Sequence, residues 1–179
     1  MDEHLIETLI EGEEVFRGRW LRVQRDQVRL PDGKPAMREY VRHPGACVVI
    51  PELRPGVFLF ERQFRHPLGQ VFIELPAGKI DEHDSLLGCA QRELLEETGY
   101  TAGAWQHLGR MHNCIGYSDE RIEIFLARDL KAGPQQLDDG EFVELFEMSL
   151  AEAVTAVQDG RITDAKTITC LFWMQNLPA

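Results

Sequence analysis

The stretch GKIDEHDSLLGCAQRELLEETGY, residues Gly78–Tyr100, decides how this chain is interpreted. Its second half predicts a helix over about Leu86–Glu97, where apolar residues recur at a spacing that anchors one helical face on a sheet. Asp84 or Ser85 can cap the start of this helix, and Gly99 lies just beyond its end, where a left-handed residue is usual. The sequence therefore predicts a packed helix with defined ends.

Three glutamates are concentrated in the last turns of this helix. An α-helix turns by about 100° per residue, so Glu93 and Glu97 lie one turn apart on one face, with Glu96 beside them. Like charges at this spacing repel by roughly a few tenths of a kcal/mol per exposed pair, and Arg92 can offset part of this by pairing with Glu96. Because carboxylates suit hard divalent cations, the cluster predicts a site for Mg²⁺ or Mn²⁺, and a solvated acidic face is the alternative.

The same stretch resembles the Nudix box, the signature of the Nudix hydrolases, written G-x5-E-x7-R-E-U-x-E-E-x-G-U with U apolar. The matching residues are Gly78, Arg92, Glu93, Leu94, Glu96, Glu97, Gly99 and Tyr100. Asp84 stands where the pattern has Glu, and since that position supports the loop, we expect the shorter side chain to tune the site without abolishing it. The resemblance implies a Nudix-type α/β/α sandwich with a mixed sheet.

The resemblance also implies a reaction, the hydrolysis of a nucleoside diphosphate linked to another group. In the family, metal is bound by the second and last glutamates of the box and by the carbonyl just before its glycine. Here these groups are Glu93, Glu97 and Ala77, with Glu96 assisting. Magnesium ions, or manganese ions, would neutralise the pyrophosphate and acidify the attacking water, which explains why carboxylates are gathered here.

Outside the box, two segments resemble the ADP-ribose pyrophosphatase branch, REYVRHPGACVVIP and RQFRHPLGQVFIELPAGKIDE. In that branch the arginine matching Arg65 contacts phosphate, and the glutamate matching Glu74 shapes the site. The branch takes its general base from an acidic loop, for which LDDGEF offers Glu141 first and Asp139 second. A box glutamate such as Glu96 or Glu97 is the remaining candidate, and a solvated turn is the alternative interpretation of the loop.

One segment leaves the substrate open. In IGYSDE, Ser118, Asp119 and Glu120 fit the ADP-ribose branch, but Ile115 stands where that branch usually has Pro. We therefore expect ADP-ribose to be cleaved to AMP and ribose 5-phosphate, with GDP-mannose or another nucleotide sugar as the alternative substrate. A Nudix-derived sensor that binds a nucleotide without cleaving it is the alternative of another class, disfavoured because the catalytic glutamates are all present.

The N-terminal residues 1–43 are predicted to form a small β-ribbon ahead of a Nudix domain over residues 44–179. The turn Pro31–Gly33 separates two charged, alternating segments, which predicts a hairpin with too little apolar surface to stand alone. We expect this ribbon to pack against a second copy in a homodimer, as the resemblance also implies. Arg38 and Arg42 are the cations we expect the partner copy to lend to the nucleotide, and solvated arginines are the alternative.

The remaining elements alternate between strands and helices, which predicts an α/β fold with a mixed sheet. The predicted core strands are ACVVI, GVFLFERQF, VFIEL, RIEIFLAR and EFVELFEM. Two further helices are expected, one from Ser149, with Glu152 in capping-box register, to near Gly160, and one over about Asp164–Leu177.

Composition limits the classes of partner. The chain has 179 residues and a formal net charge of −11, which argues against a nucleic-acid backbone as the main partner. It contains no run of apolar residues long enough to span a membrane, and its acidic start lacks the features of a secretory signal. Its four cysteines form no C-x-x-C pair, so we expect reduced thiols in a cytoplasmic protein.

Overall fold

The computed structural model describes residues 2–176. Within them the chain forms two compact units, one made of residues 2–44 with 112–121 and the other of residues 45–111 with 122–176. The sequence did not predict that residues 112–121 would belong to the same unit as the N-terminal ribbon. That residues 1–43 and 44–179 are separate domains stays a prediction.

The first unit is built on a three-stranded antiparallel sheet in the order β1-β2-β3. Its strands are β1 (Thr8–Arg17), β2 (Arg22–Arg29) and β3 (Pro35–Arg42), preceded by a 3-10 helix over Glu3–Leu5. The predicted hairpin is β2 and β3, joined through Gly33 at a φ of 87°. The sequence prediction missed β1, whose ten residues are all exposed.

The second unit contains a seven-stranded mixed sheet. Its strands are β4 (Ala46–Arg54), β5 (Val57–Arg65), β6 (Gln70–Glu74), β7 (Ala77–Lys79), β8 (Tyr100–Met111), β9 (Ile122–Ala132) and β10 (Val143–Ser149). The main order is β10-β5-β4-β9-β8, with β6 paired to β5 and β7 to β4. Only β4 and β9 pair in parallel among these strands, which makes the sheet mixed, as predicted.

Three α-helices accompany this sheet, α1 (Leu86–Thr98), α2 (Leu150–Gln158) and α3 (Ala165–Gln175). The Ser85 hydroxyl caps α1 by accepting from the backbone N–H of Gly88, and Gly99 ends it at a φ of 73°. Ser149 and Glu152 form the predicted capping box. The predicted end of the last helix at Leu177 lies outside the described residues. None of the described helices is long and apolar enough to cross a membrane.

The sheet is covered on both faces, so β4 is apolar at every position of its first half. Cys47 and Val49 pack with α1, in a cluster that includes Leu94. Val48 and Ile50 belong to the opposite cluster, which also contains residues of α2 and α3. One helix on one face and two on the other form the predicted α/β/α sandwich. Strand β7 is held beside α1 because its Gly78 is paired with Cys47 of β4.

Candidate active site

Two glutamates of α1, Glu93 and Glu97, lie against β7. The carboxylate of Glu93 occupies the space beside Gly78 that a Cβ atom would take, so a larger residue there would displace this carboxylate. Beside it, the backbone N–H of Ala77 donates to Oε2 of Glu97 at 2.8 Å. The structure therefore brings together the predicted residues Gly78, Ala77, Glu93 and Glu97, with the two carboxylates held on packed elements.

Both of these carboxylates are buried, and both have raised pKa values. Burial is the main cause for Glu97, which is 3% exposed, and the charges of Glu61, Glu93 and Glu141 raise its pKa further. Burial also raises the pKa of Glu93 to about 7, although Arg92 opposes this. Protons or cations thus stabilise these groups more strongly than ordinary surface carboxylates.

Arg92 organises the remaining acidic groups of the motif. Its guanidinium donates to Glu93 at 2.7 Å, to Glu96 at 3.0 Å and to Asp84 at 2.9 Å. It also donates to the backbone carbonyl of Lys79 at 3.0 Å. Asp84 therefore reaches the arginine despite its shorter side chain, and the loop before α1 is tied to the helix.

The acidic side chains of α1 have donor atoms that suit a divalent cation, but they do not converge on one point. Among residues 2–176, no three acidic, histidine or cysteine side chains converge as a metal centre. Glu93 and Glu96 each form an ion pair with Arg92. The donors are nevertheless the carboxylate oxygens that Mg²⁺ and Mn²⁺ prefer, and burial gives Glu93 and Glu97 a strong need for positive charge. The role of the Ala77 carbonyl stays a prediction.

Arg65 and Glu74 form a two-pronged ion pair between β5 and β6. The distances are 2.7 Å from Nε to Oε1 and 2.9 Å from Nη2 to Oε2. Glu74 is almost fully buried, whereas the Arg65 side chain is 41% exposed. Burial alone would raise the pKa of Glu74, but Arg65 and Lys166 outweigh it, so the pKa lies below its usual value.

Lys166 is a member of this network that the sequence did not reveal. Its ammonium contacts Glu74 and lies 3.0 Å from Asp164, the residue that caps α3 by accepting from the N–H of Thr167. The capping pattern predicted where α3 begins, but nothing in it indicated that a lysine in the first turn would reach Glu74.

The acidic loop before β10 contributes one of its two predicted residues. Oε1 of Glu141 accepts from the side-chain amide of Gln63 at 2.9 Å, and its charge contributes to the raised pKa values of Glu93 and Glu97. Asp139 is exposed in the same loop. The structure thus places Glu141 near the carboxylates of α1, and the choice between the two as general base stays a prediction.

Within the first unit, the predicted cations are paired with acidic residues of the same unit. Arg38 forms an ion pair with Glu7, and Arg42 with Asp119 at 2.9 Å. Glu120 lies 3.5 Å from the imidazole of His43. Arg38 also borders an open groove lined by Tyr40, Ile115 and Tyr117, among other residues. Their role in substrate binding stays a prediction.

Sequence interpretation missed a second acidic residue of the sheet, Glu61. It lies on β5 with Gln63 and Arg65 at alternate positions, so the three side chains share one side of the strand. Glu61 is fully buried and lies opposite Glu74 in the register of β5 and β6. The alternation in FERQFR could have indicated this polar row, but the sequence predicted only a core strand here.

Two family models match the chain in sequence. The Nudix domain model matches residues 41–170, and the model of the nucleoside diphosphate sugar hydrolase N-terminal domain matches residues 7–41. Together they account for both compact units, and the first match covers more than half of the chain.

Curated relatives match over most of their length. An ADP-ribose pyrophosphatase of Bacillus subtilis is 36% identical over 96% of this chain and 94% of the relative. A methanol dehydrogenase activator of Bacillus methanolicus is 37% identical over 94% of this chain and 92% of the relative. A GDP-mannose pyrophosphatase of Pectobacterium atrosepticum is 32% identical over 74% of this chain and 72% of the relative.

A solved structure shares the fold. The crystal structure of an ADP compounds hydrolase superposes with a TM-score of 0.86, covering 96% of this chain and 94% of the other. The sequence identity is 22%, so this likeness concerns the fold.

Proposed function

This chain belongs to the Nudix family of pyrophosphate hydrolases, and we propose that it cleaves ADP-ribose to AMP and ribose 5-phosphate with Mg²⁺ as cofactor. One observation carries the proposal. Two buried carboxylates with raised pKa values, Glu93 and Glu97, lie beside β7 at the position where the motif has its metal ligands. Two neighbouring buried carboxylates have little structural benefit, since burying charge of one sign is costly.

The proposed cation ligands come from α1 and β7. Glu93, Glu97 and the Ala77 carbonyl would hold the cation, with Glu96 assisting. A bound Mg²⁺ or Mn²⁺ would neutralise the pyrophosphate and lower the pKa of a water molecule. The protein would then position the substrate and the water and stabilise the charge of the phosphates, as in phosphoryl transfer generally.

Arg65 and Glu141 are the proposed partners of the substrate and the water. Glu74 holds the Arg65 guanidinium in place, and the exposed Arg65 side chain can donate hydrogen bonds to a phosphate. Gln63 orients the carboxylate of Glu141, which would accept the proton of the attacking water. Water adds across the pyrophosphate bond, so one phosphate leaves on each product.

GDP-mannose is the second candidate substrate. It is favoured by Ile115, which departs from the usual residue of the ADP-ribose branch, and by the similarity to a GDP-mannose pyrophosphatase. Ile115 is 84% exposed at the edge of the groove beside Arg38, where a change of side chain can alter which ligand is accepted. The relative 36% identical over almost the whole chain favours ADP-ribose.

We further propose that the chain acts as a homodimer formed through the N-terminal sheet. All ten residues of β1 are exposed, and they include the apolar side chains of Leu9, Ile10, Val15 and Phe16. A strand of this composition is typical of a surface that another chain covers. In such a dimer, Arg38 and Arg42 would bind the nucleotide in the partner copy. Their ion pairs with Glu7 and Asp119 would then be replaced by contacts to phosphate.

A substrate panel tests the proposed function. The full-length chain is assayed with ADP-ribose, GDP-mannose and other nucleotide sugars, with Mg²⁺ and, as the control, with EDTA. We expect the highest kcat/KM with ADP-ribose, AMP among the products by chromatography, and no turnover in EDTA. A higher kcat/KM with GDP-mannose would establish the second candidate instead, and no turnover of any member of the panel with Mg²⁺ would contradict both.

A further inference from the structure

Glu61 carries a buried carboxylate that has no hydrogen-bonding partner within residues 2–176. The residue is fully buried on β5, and neither side-chain oxygen has a partner among the described residues. Buried polar groups are almost always hydrogen-bonded. Burying an ionised carboxylate without a partner destabilises the folded state by roughly several kcal/mol. Such a side chain is expected to interact with something that the polypeptide does not itself provide.

The residues around Glu61 on β5 and β6 are part of the candidate active site. In the pairing of β5 with β6, Glu61 lies directly opposite Glu74, so both side chains point to the same side of the sheet. Gln63 and Arg65 follow on that side of β5, and they contact Glu141 and Glu74 respectively. The unpartnered carboxylate therefore lies at the buried end of a row whose other members contact the candidate base and the phosphate-binding pair.

The charge of Glu61 also acts on the last glutamate of α1. Burial is the main cause of the raised pKa of Glu97, and the negative charge of Glu61 raises this pKa further. The two cations nearest to this row, Arg65 and Lys166, both contact Glu74. Within residues 2–176, neither Glu61 nor Glu97 forms an ion pair.

We propose that Glu61 is a ligand of the divalent cation, sharing it with Glu97 from the sheet side of the site. The inference rests on the proposed metal-dependent function but adds a ligand that lies outside the Nudix motif. A carboxylate from β5 opposite one from α1 would fix the ion between the sheet and the helix, and oxygen ligands of this kind suit Mg²⁺ and Mn²⁺.

A neutral carboxyl group is a weaker explanation of the same observation. Protonation removes the charge of Glu61, but it adds an O–H donor that would also need an acceptor. A divalent cation satisfies both oxygens and removes the repulsion between Glu61 and Glu97 at once. Gln63, whose side-chain oxygen is also buried without a partner, can accept from a water molecule bound to the ion.

Binding of Mn²⁺ to the full-length protein tests the proposal without relying on turnover. Affinity and stoichiometry are measured by electron paramagnetic resonance and calorimetry for the wild type, Glu61→Gln and Glu123→Gln. Glu123 is a matched control, since it is equally buried on β9 but paired with His107 and Arg110. Thermal unfolding with and without Mn²⁺ is recorded for each protein.

We expect Glu61→Gln to weaken Mn²⁺ binding by more than about a hundredfold, beyond the roughly tenfold to hundredfold loss that removal of an outer-shell partner gives. In EDTA this variant should be as stable as the wild type or more so, because the amide removes a repulsive carboxylate, and it should gain less from Mn²⁺. Glu123→Gln should lose stability in EDTA and keep the wild-type affinity for Mn²⁺.

Wild-type affinity and stoichiometry in folded Glu61→Gln would overturn the proposal while leaving the proposed function intact. A wild-type protein that binds no Mn²⁺ would overturn the metal-dependent function and this inference with it. If Glu61→Gln does not fold, Glu61→Met, which removes every polar atom at similar length, gives the same measurement. Failure of both to fold with Mn²⁺ present would identify Glu61 as a structural residue and also contradict the proposal.

Discussion

Oε2 of Glu97 accepts a hydrogen bond from the backbone N–H of Ala77 at 2.8 Å, which joins the last glutamate of α1 to the short strand β7. This bond fixes the carboxylate beside the residue whose carbonyl is the predicted backbone ligand. It also lowers the pKa of Glu97 against the stronger effect of burial. A helix position and a strand position that are far apart in the chain thus form one unit of the site.

Glu93→Gln is expected to lower kcat by about a hundredfold, which corresponds to roughly 3 kcal/mol of transition-state stabilisation. The variant should remain folded, because Arg92 can still donate to the amide oxygen. Glu96→Gln, on the same helix but more exposed, should lose less. Steady-state kinetics with circular dichroism checks this, and near-normal turnover of Glu93→Gln at saturating Mg²⁺ would make the ligand assignment wrong.

Glu141→Gln is expected to lower kcat with little change in the KM for substrate, since a general base acts in the transition state. Asp139→Asn is the matched variant of the same loop and should be nearly silent. If the effect is confined to Asp139→Asn, the role belongs to that residue. If both are silent, a glutamate of α1 is the base.

Arg65→Lys is expected to lower kcat/KM by about tenfold to a hundredfold, because a lysine cannot bridge Glu74 and a phosphate as a planar guanidinium can. Arg62→Lys is the control, since Arg62 is the neighbouring arginine of β5 and contacts Glu144 at 2.6 Å on the other side of the strand. Equal losses in both variants would mean that the effect is not specific to the predicted phosphate contact.

Lys166→Met is expected to destabilise the fold at neutral pH by up to about 3 kcal/mol, because it removes one cation from the buried carboxylate of Glu74. The pKa of Glu74 is lowered in the folded protein, so its contribution to stability is present above its usual pKa and is lost as the pH falls through the lowered value. The difference from the wild type should therefore shrink below about pH 4.5. Denaturant unfolding across pH checks this, and a gap that widens on acidification would contradict it.

A homodimer through the N-terminal sheet predicts that the exposed apolar residues of β1 are needed for association. Leu9→Glu should convert the dimer to a monomer and weaken ADP-ribose binding, because Leu9 is 66% exposed on this strand. Glu11→Gln, at an exposed polar position of the same strand, serves as its control. Light scattering of the full-length chain checks the premise, and a monomer that hydrolyses ADP-ribose efficiently would contradict this account.

Local signals in the sequence predicted the parts of the fold that local interactions determine. The ends of α1 and the capping box of α2 follow from residues a few positions apart, and both were predicted correctly. Strand β8 was missed because YTAGAWQHLGRM carries small and polar residues that break the alternation of a strand. Strand β1 was missed because all of its residues are exposed, so no buried face marks it.

The same limit applies to the site. The motif predicted the glutamates of α1, because their spacing on one helix is visible in the sequence. Glu61 and Lys166 come from β5 and α3, and only the folded chain brings them to Glu74. Their roles depend on burial and on contacts across the sheet, which no short pattern records.

The central claim is that Glu97 and its neighbours hold the cation on which turnover depends. The most direct measurement is the rate of ADP-ribose hydrolysis as Mg²⁺ is added back to EDTA-treated wild type and Glu97→Gln. We predict that Mg²⁺ restores the wild-type rate, whereas Glu97→Gln stays at least about a hundredfold slower at every concentration. Full activity of the wild type in EDTA, or recovery of Glu97→Gln to the wild-type rate, would contradict the account.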